Sequence, residues 1–197
     1  MRVSLLAAIT LFILTACSSH APMKTVEYVD IPRFMGKWYV IASIPTFLEK
    51  GAHNAVESYE LDEDGSIATT FTFYDGSFDG KLKTMQPRGF IKDTESNALW
   101  GMQFIWPIKA DYRIVYLDED YQNTIIARKQ RDYVWIMSRK PVMDDKVYEK
   151  LSAFIASLGY DLSLIHISEP TRQPATSRMP SSACTEGGGG GGGGGGG

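Results

Sequence analysis

Between Gly36 and Ser138 the chain alternates apolar or aromatic residues with polar ones in short runs, each closed by turn-forming residues. A period of two turns one face of each run toward a core and the other toward water, which restricts the chain to an antiparallel sheet folded as a sandwich or barrel. The runs are 36–44, 55–61, 66–74, 80–86, 88–92, 98–106, 111–117, 124–128 and 133–138. Asp64-Gly65 and Asp75-Gly76 supply hairpin turn chemistry, and 118–120 and 130–132 are polar connectors. Pro87 cannot donate to a ladder, so it marks a bend or an edge position in the fourth strand. After Pro141 the period lengthens: Val147, Leu151, Phe154, Ile155 and Leu158 recur at helical spacing, with Asp144 as N-cap and Gly159 as C-cap. The apolar stripe of this helix has only the outer face of the sheet to pack on.

Residues 24–161 have the length of one domain. Charges of both signs are interspersed, with no basic stripe and no like-charge block, so the composition gives no nucleic-acid partner. Ahead of residue 162 the sole cysteine is Cys17, so the domain has no disulfide framework and its core must suffice.

The two ends read differently. Met1-Arg2 brings one positive charge and residues 3–16 an apolar segment, which ends at Leu14-Thr15-Ala16-Cys17 and meets polar Ser18 and Ser19. This pattern resembles the lipobox of bacterial lipoproteins. The resemblance implies that residues 1–16 are a signal peptide and that Cys17 carries a thioether-linked diacylglycerol and an N-acyl chain, enough for stable anchoring in a membrane. Serine rather than aspartate after the cysteine resembles sorting to the outer membrane. Residues 17–30 then form a tether of up to about 40 Å. At the other end, residues 162–172 (LSLIHISEPTR) and 177–183 resemble the translation of a transposase-type sequencing adapter, and Gly187 to Gly197 is a glycine homopolymer. Residues 162–197 are therefore expected to be disordered and to lie outside the domain, and His166 and Cys184 are set aside.

Three blocks carry a family resemblance. Gly36-Lys37-Trp38-Tyr39, just after a short helical turn, resembles the first lipocalin signature; Leu117-Asp118 with Tyr121 resembles the second; and Met137-Ser138-Arg139-Lys140-Pro141 resembles the third. The second departs from the commoner Thr-Asp-Tyr, with Leu117 in the first place and Tyr121 displaced. The resemblance spans 30–161 and implies an all-β fold: an eight-stranded antiparallel up-and-down barrel over 31–161, with a short N-terminal helical turn and one C-terminal helix packed outside. It assigns Gly36, Trp38, Asp118 and Arg139 to structure. Trp38 crosses the barrel floor beneath the Arg139 guanidinium, and Gly36 allows the close chain approach there.

With Trp38 inside, alternation places Val40 and Ala42 inside and Tyr39 and Ile41 outside, and, counted back from Arg139, it places Met137, Trp135 and Tyr133 inside. The phase of the middle strands comes from the resemblance: Ala55, Glu57 and Tyr59; Ile67, Thr69, Phe71 and Phe73; Trp100, Met102 and Phe104; Tyr112, Ile114 and Tyr116; Ile126 and Arg128. The expected ligand-binding residues are Glu57, Tyr59, Phe71, Met102, Phe104, Tyr112, Ile114, Arg128, Tyr133, Trp135 and Met137. An aromatic and methionine lining suits a flexible acyl chain. Glu57 and Arg128 are the two inward charges; they pair across the mouth, meet a polar ligand head, or reach solvent at the rim.

The function that follows is an outer-membrane lipoprotein, not an enzyme, that binds, stores or carries fatty acids or lysophospholipids in the barrel, without metal or cofactor and with a homodimer over the mouth or a strand edge left open. Two alternatives stand beside it. One is a haem or tetrapyrrole binder using His53, expected in the loop at the barrel mouth, as axial ligand. The other is a lipid-modifying enzyme on the same scaffold, against which stands the lack of a Ser/His/Asp set and of any metal-ligand partner for His20 or His53.

Overall fold

The computed structural model describes residues 22–168. Cys17, His20 and Cys184 lie outside them. A four-residue helix α1 (Ile31–Phe34) leads into β1 (Gly36–Ile44), β2 (Ala52–Leu61), β3 (Ile67–Asp75), β4 (Lys81–Met85), β5 (Arg88–Ile91), β6 (Leu99–Ile105), β7 (Ile108–Leu117), β8 (Asn123–Ala127) and β9 (Val134–Ser138), followed by helix α2 (Asp145–Ser157). All pairings are antiparallel, and neighbours in the chain among these strands pair except β4 with β5. β4 and β5 both pair with β3 and are one barrel strand broken at Pro87, and β9 pairs back onto β1, so the sheet closes as an eight-stranded barrel. Closure removes the exposed edges that an open sheet of this size would present.

Two apolar layers result. Inside the barrel, Trp38, Val40, Tyr59, Ile67, Phe71, Phe73, Trp100, Met102, Tyr112, Ile114, Ile126, Trp135 and Met137 form one cluster. Outside it, Ile41, Ala42, Ile44, Val115, Ile125, Val134 and Ile136 pack under Leu151 and Ile155 of α2. The ends of α2 are capped as the sequence indicates. Asp144 accepts from the Lys146 and Val147 amides, and Gly159 takes φ +90°, where a side chain would strain the backbone.

Strict alternation fails at four irregularities, one of them in β2–β3 between His53 and Val56. The β1–β9 register shifts between Val40 and Ala42, so Ala42 belongs to the outer layer and not to the interior. The β7–β8 register shifts between Ile114 and Tyr116, which turns Tyr116 out against Phe154 of α2, ring centroids 5.7 Å apart. The fourth shift, between Met102 and Ile105, leaves Phe104 partly exposed at the barrel mouth. Each extra residue inverts the phase for the rest of its strand.

The base is closed as the family signature implies. Trp38 Nε1 donates to the Phe34 carbonyl at 2.9 Å, and the Arg139 guanidinium lies 3.8 Å over the indole. Arg139 also donates to the carbonyls of Arg33 (2.8 Å), Phe34 (3.0 Å) and Lys37 (2.9 Å), satisfying the C-terminal end of α1. Asp118 organises the β7–β8 turn by accepting from the Gln122 and Asn123 amides at 2.6 and 3.1 Å. Gly36 is glycine for a reason other than close approach: its φ is +91°, while an added Cβ would meet Arg139 at an ordinary 3.5 Å.

Residues 162–168, set aside in the sequence reading, form a 3₁₀ turn (Leu162–Leu164) and a two-residue strand β10 (His166–Ile167) on β1. β1 and β2 pair directly only from Gly36↔Tyr59 to Tyr39↔Val56, which leaves backbone groups open toward the mouth. Ser168 fills that gap, donating to the Ile41 carbonyl and accepting from the Asn54 amide.

Candidate ligand-binding site

Along the barrel axis the interior changes character. The lower half is solid, because Phe34, Trp38, Tyr59 and Trp100 pack ring to ring at centroid distances of 5.0–5.8 Å. Above them Trp100 stacks on Tyr112 (5.5 Å), and Tyr112 and Trp135 stack at 6.5 Å. Over this aromatic floor a cavity of about 220 Å³ opens toward the mouth. Its wall includes Met102, Phe104, Ile105, Ile108, Tyr112, Tyr133 and Trp135, so it is mainly apolar.

Of the expected binding residues, Glu57, Met102, Phe104, Tyr112, Arg128, Tyr133 and Trp135 line this cavity. Tyr59, Phe71, Ile114 and Met137 belong to the interior cluster but not to the cavity wall. Alternation predicts the face of the sheet that a residue occupies; it does not say at which height the barrel stops being full.

Two buried carboxyls sit at this site. Glu57 is bonded to the Tyr59 hydroxyl, which in turn shares a 2.5 Å hydrogen bond with the Tyr112 hydroxyl. Removal from water, reinforced by the neighbouring Glu49 charge, pushes the Glu57 carboxyl up to about 8. Near neutral pH the group is therefore mostly uncharged, which is how an acid without a cationic partner survives there. Burial likewise raises Glu49, which accepts from the Thr46 amide (3.0 Å) and from Trp135 Nε1 (3.2 Å). Burial holds the Tyr112 hydroxyl well above its ordinary range as well. Glu49 is the residue that sequence reasoning missed: it comes from the loop between β1 and β2, where no periodicity signals that a side chain turns inward. Phe47 and Leu48 of the same loop also line the cavity.

Arg128 does not pair with Glu57. Its guanidinium reaches Asp132 at 3.3 Å and lies 5.2 Å over the Tyr133 ring, while its buried Nε has no hydrogen-bond acceptor. The β8–β9 turn that carries it is fixed from outside, because the Tyr160 hydroxyl donates to the Tyr133 carbonyl (2.9 Å) and accepts from the Arg128 amide (3.1 Å). The remaining acid of the wall, Asp111, is engaged by Arg113 at 2.9 Å and by the Lys129 amide at 2.8 Å. His53 lies in β2 rather than in a mouth loop. Its ring packs on Phe78 (4.7 Å) and His166 (5.6 Å), and it is not part of the cavity wall, so nothing in this geometry presents it to a ligand there.

The lipocalin-like domain family model matches residues 29–170. The chain is 31% identical over 169 residues to the outer membrane lipoprotein Blc of Citrobacter freundii, spanning 83% of this chain and 95% of that protein. It is 29% identical over 168 residues to the protein of the same name from Escherichia coli K12, spanning 83% and 94%. Among solved structures, insecticyanin from the tobacco hornworm Manduca sexta superposes with a TM-score of 0.61 at 16% identity, covering 77% of this chain and 86% of that one, a likeness of fold alone. These relatives place the protein at the outer membrane on a lipid anchor, in keeping with the lipobox-like run ending at Cys17. A closed eight-stranded barrel with an arginine-capped tryptophan floor and a cavity above it agrees with the family match, and the chain belongs to the lipocalin family.

Proposed function

We propose that the cavity takes the acyl end of an amphiphile with an anionic head, a fatty acid or a lysophospholipid, and holds the head near Arg128. The observation that carries this reading is the charge balance of the wall. Glu57 and Glu49 are biased toward their neutral forms, Asp111 is already engaged, and Arg128 retains a buried N–H without an acceptor. A carboxylate or phosphate at the mouth would supply that acceptor. At about 220 Å³ the cavity is smaller than the roughly 300–1,000 Å³ usual for small-molecule sites, so a chain end fits as it stands and a longer chain displaces the Thr46–Lys50 loop. Each methylene withdrawn from water contributes about 0.8 kcal/mol, against association costs of about 4–15 kcal/mol, which sets micromolar affinity as the expectation.

Titrating the protein's tryptophan fluorescence with a long-chain fatty acid and with the matching monoacylglycerol tests the assignment. Arg128→Gln should weaken the fatty acid by about tenfold, the scale of one charge-assisted hydrogen bond, and leave the uncharged monoacylglycerol nearly unchanged. Equal losses for both would remove Arg128 as the head-group contact. Saturation by neither would remove the carrier reading.

A further inference from the structure

The mouth of the barrel carries an exposed apolar rim. At the mouth, the β6–β7 turn, where polar turn formers are the rule, instead presents Ile105 (61% exposed), Trp106 (83%) and Ile108 (68%), and Phe47 (77%) projects from the neighbouring loop. Around them stand the exposed lysines Lys50, Lys81, Lys109 and Lys129. The rim also carries the exposed acids Asp79 and Asp132, and the base loops carry charges of both signs, Glu63, Glu95 and Glu119 beside Arg33, Lys37 and Lys140.

The described N-terminal segment runs toward the level of the apolar rim. From Asp30 at the base, the described N-terminal segment climbs the barrel as it is followed backward. The Val29 amide donates to Ser96 near the base, the Val26 amide to Ile114 halfway up, and Arg113 donates to the Met23 carbonyl at 3.3 Å. Cys17 lies six positions before Met23, a reach of at most about 20 Å. The mouth end of β7, at Ile108, is five residues from Arg113, about 17 Å. The chain between Met23 and Cys17 is therefore long enough to reach the level of the rim.

We propose that the mouth docks on the membrane that holds the anchor, with Trp106, Ile105, Ile108 and Phe47 seated in the interface of an anionic lipid surface. The rim lysines face its charge, and the base points away from it. Amphiphiles then pass between bilayer and cavity without crossing open water. This surface rests on the anchor and the rim, and not on which ligand the cavity prefers.

The test uses the full lipidated chain in vesicles of phosphatidylethanolamine and phosphatidylglycerol, with a fraction of lipids brominated near the headgroup. Trp38, Trp100 and Trp135 are buried in the barrel, so quenching reports Trp106. The expected result is a fall of roughly half in the quenchable emission, stronger for shallow than for deep bromines, as an interfacial depth of about 5–10 Å requires. It should be absent in Trp106→Phe and reduced in Ile108→Lys, which charges the exposed rim and leaves the tryptophan in place. No quenching, or quenching indifferent to both substitutions, would overturn the proposal. So would unquenched Trp106 together with rim-to-rim cross-linking between copies, which would assign the patch to a dimer. Fatty-acid titration of the same preparation reads the carrier function separately.

Discussion

Replacing Glu57 with glutamine is expected to flatten most of the fall in stability that the protein shows as pH rises from about 4.5 toward 8. The unfolded chain releases this proton near 4.5 and the folded protein near 8, so between those values the folded state binds the extra proton and each added pH unit costs about 1.4 kcal/mol. Over the whole window the loss is on the order of 5 kcal/mol, a large part of the stability of a domain this size. Below the unfolded value both states are protonated and the wild type keeps the full contribution. The amide of Glu57→Gln preserves shape and can bond to the tyrosine hydroxyls without titrating. Urea midpoints for the two proteins should therefore nearly coincide at pH 4.5 and diverge by pH 8, with the variant the more stable. Glu49, raised in the same direction by burial, leaves a residual slope that Glu49→Gln should reduce further. Parallel profiles for wild type and Glu57→Gln would show that the carboxyl is not held neutral.

The second large effect lies at the opposite end of the barrel. Trp38→Ala is expected to destabilise the fold by about 3–5 kcal/mol, the range for deleting a fully buried large aromatic. The indole fills the floor against Phe34 and supports the Arg139 guanidinium. Arg139→Lys should cost less, because a lysine ammonium keeps the charge but cannot reach the Arg33, Phe34 and Lys37 carbonyls together. Chemical denaturation of the two variants provides the comparison. A loss under about 1 kcal/mol for Trp38→Ala would mean that the floor collapses around the gap and that the signature residue is not a stability element.

Both predictions draw on residues that were visible in the sequence, but not equally. The nine runs, the break at Pro87 and helix α2 with its two caps follow from period and turn chemistry, because in those segments local preference and tertiary demand agree. The Trp38–Arg139 floor was legible through the family resemblance. The inward phase of Ala42 and Tyr116 was misread because a one-residue bulge leaves no compositional trace yet inverts every later position. Glu57 lies on the inner face, as alternation places it, and of the environments left open for it the pair with Arg128 does not form: its contacts are tyrosine hydroxyls, while Arg128 turns to Asp132. Glu49 and Phe47 were missed because loops carry no period. The exposed Trp106 turn breaks the rule that turns are polar, and it reads as an anomaly only once β6 and β7 are seen to join there.

The most direct test of the carrier account is photo-cross-linking of the protein with a long-chain fatty acid carrying a diazirine at its terminal carbon, followed by mass spectrometry of the labelled peptides. An acyl end seated on the aromatic floor should label Met102, Tyr112 or Trp135, and excess unmodified fatty acid should suppress that label. Labelling confined to the rim around Trp106, or to the outer face under α2, would contradict the account and leave the cavity without an acyl ligand.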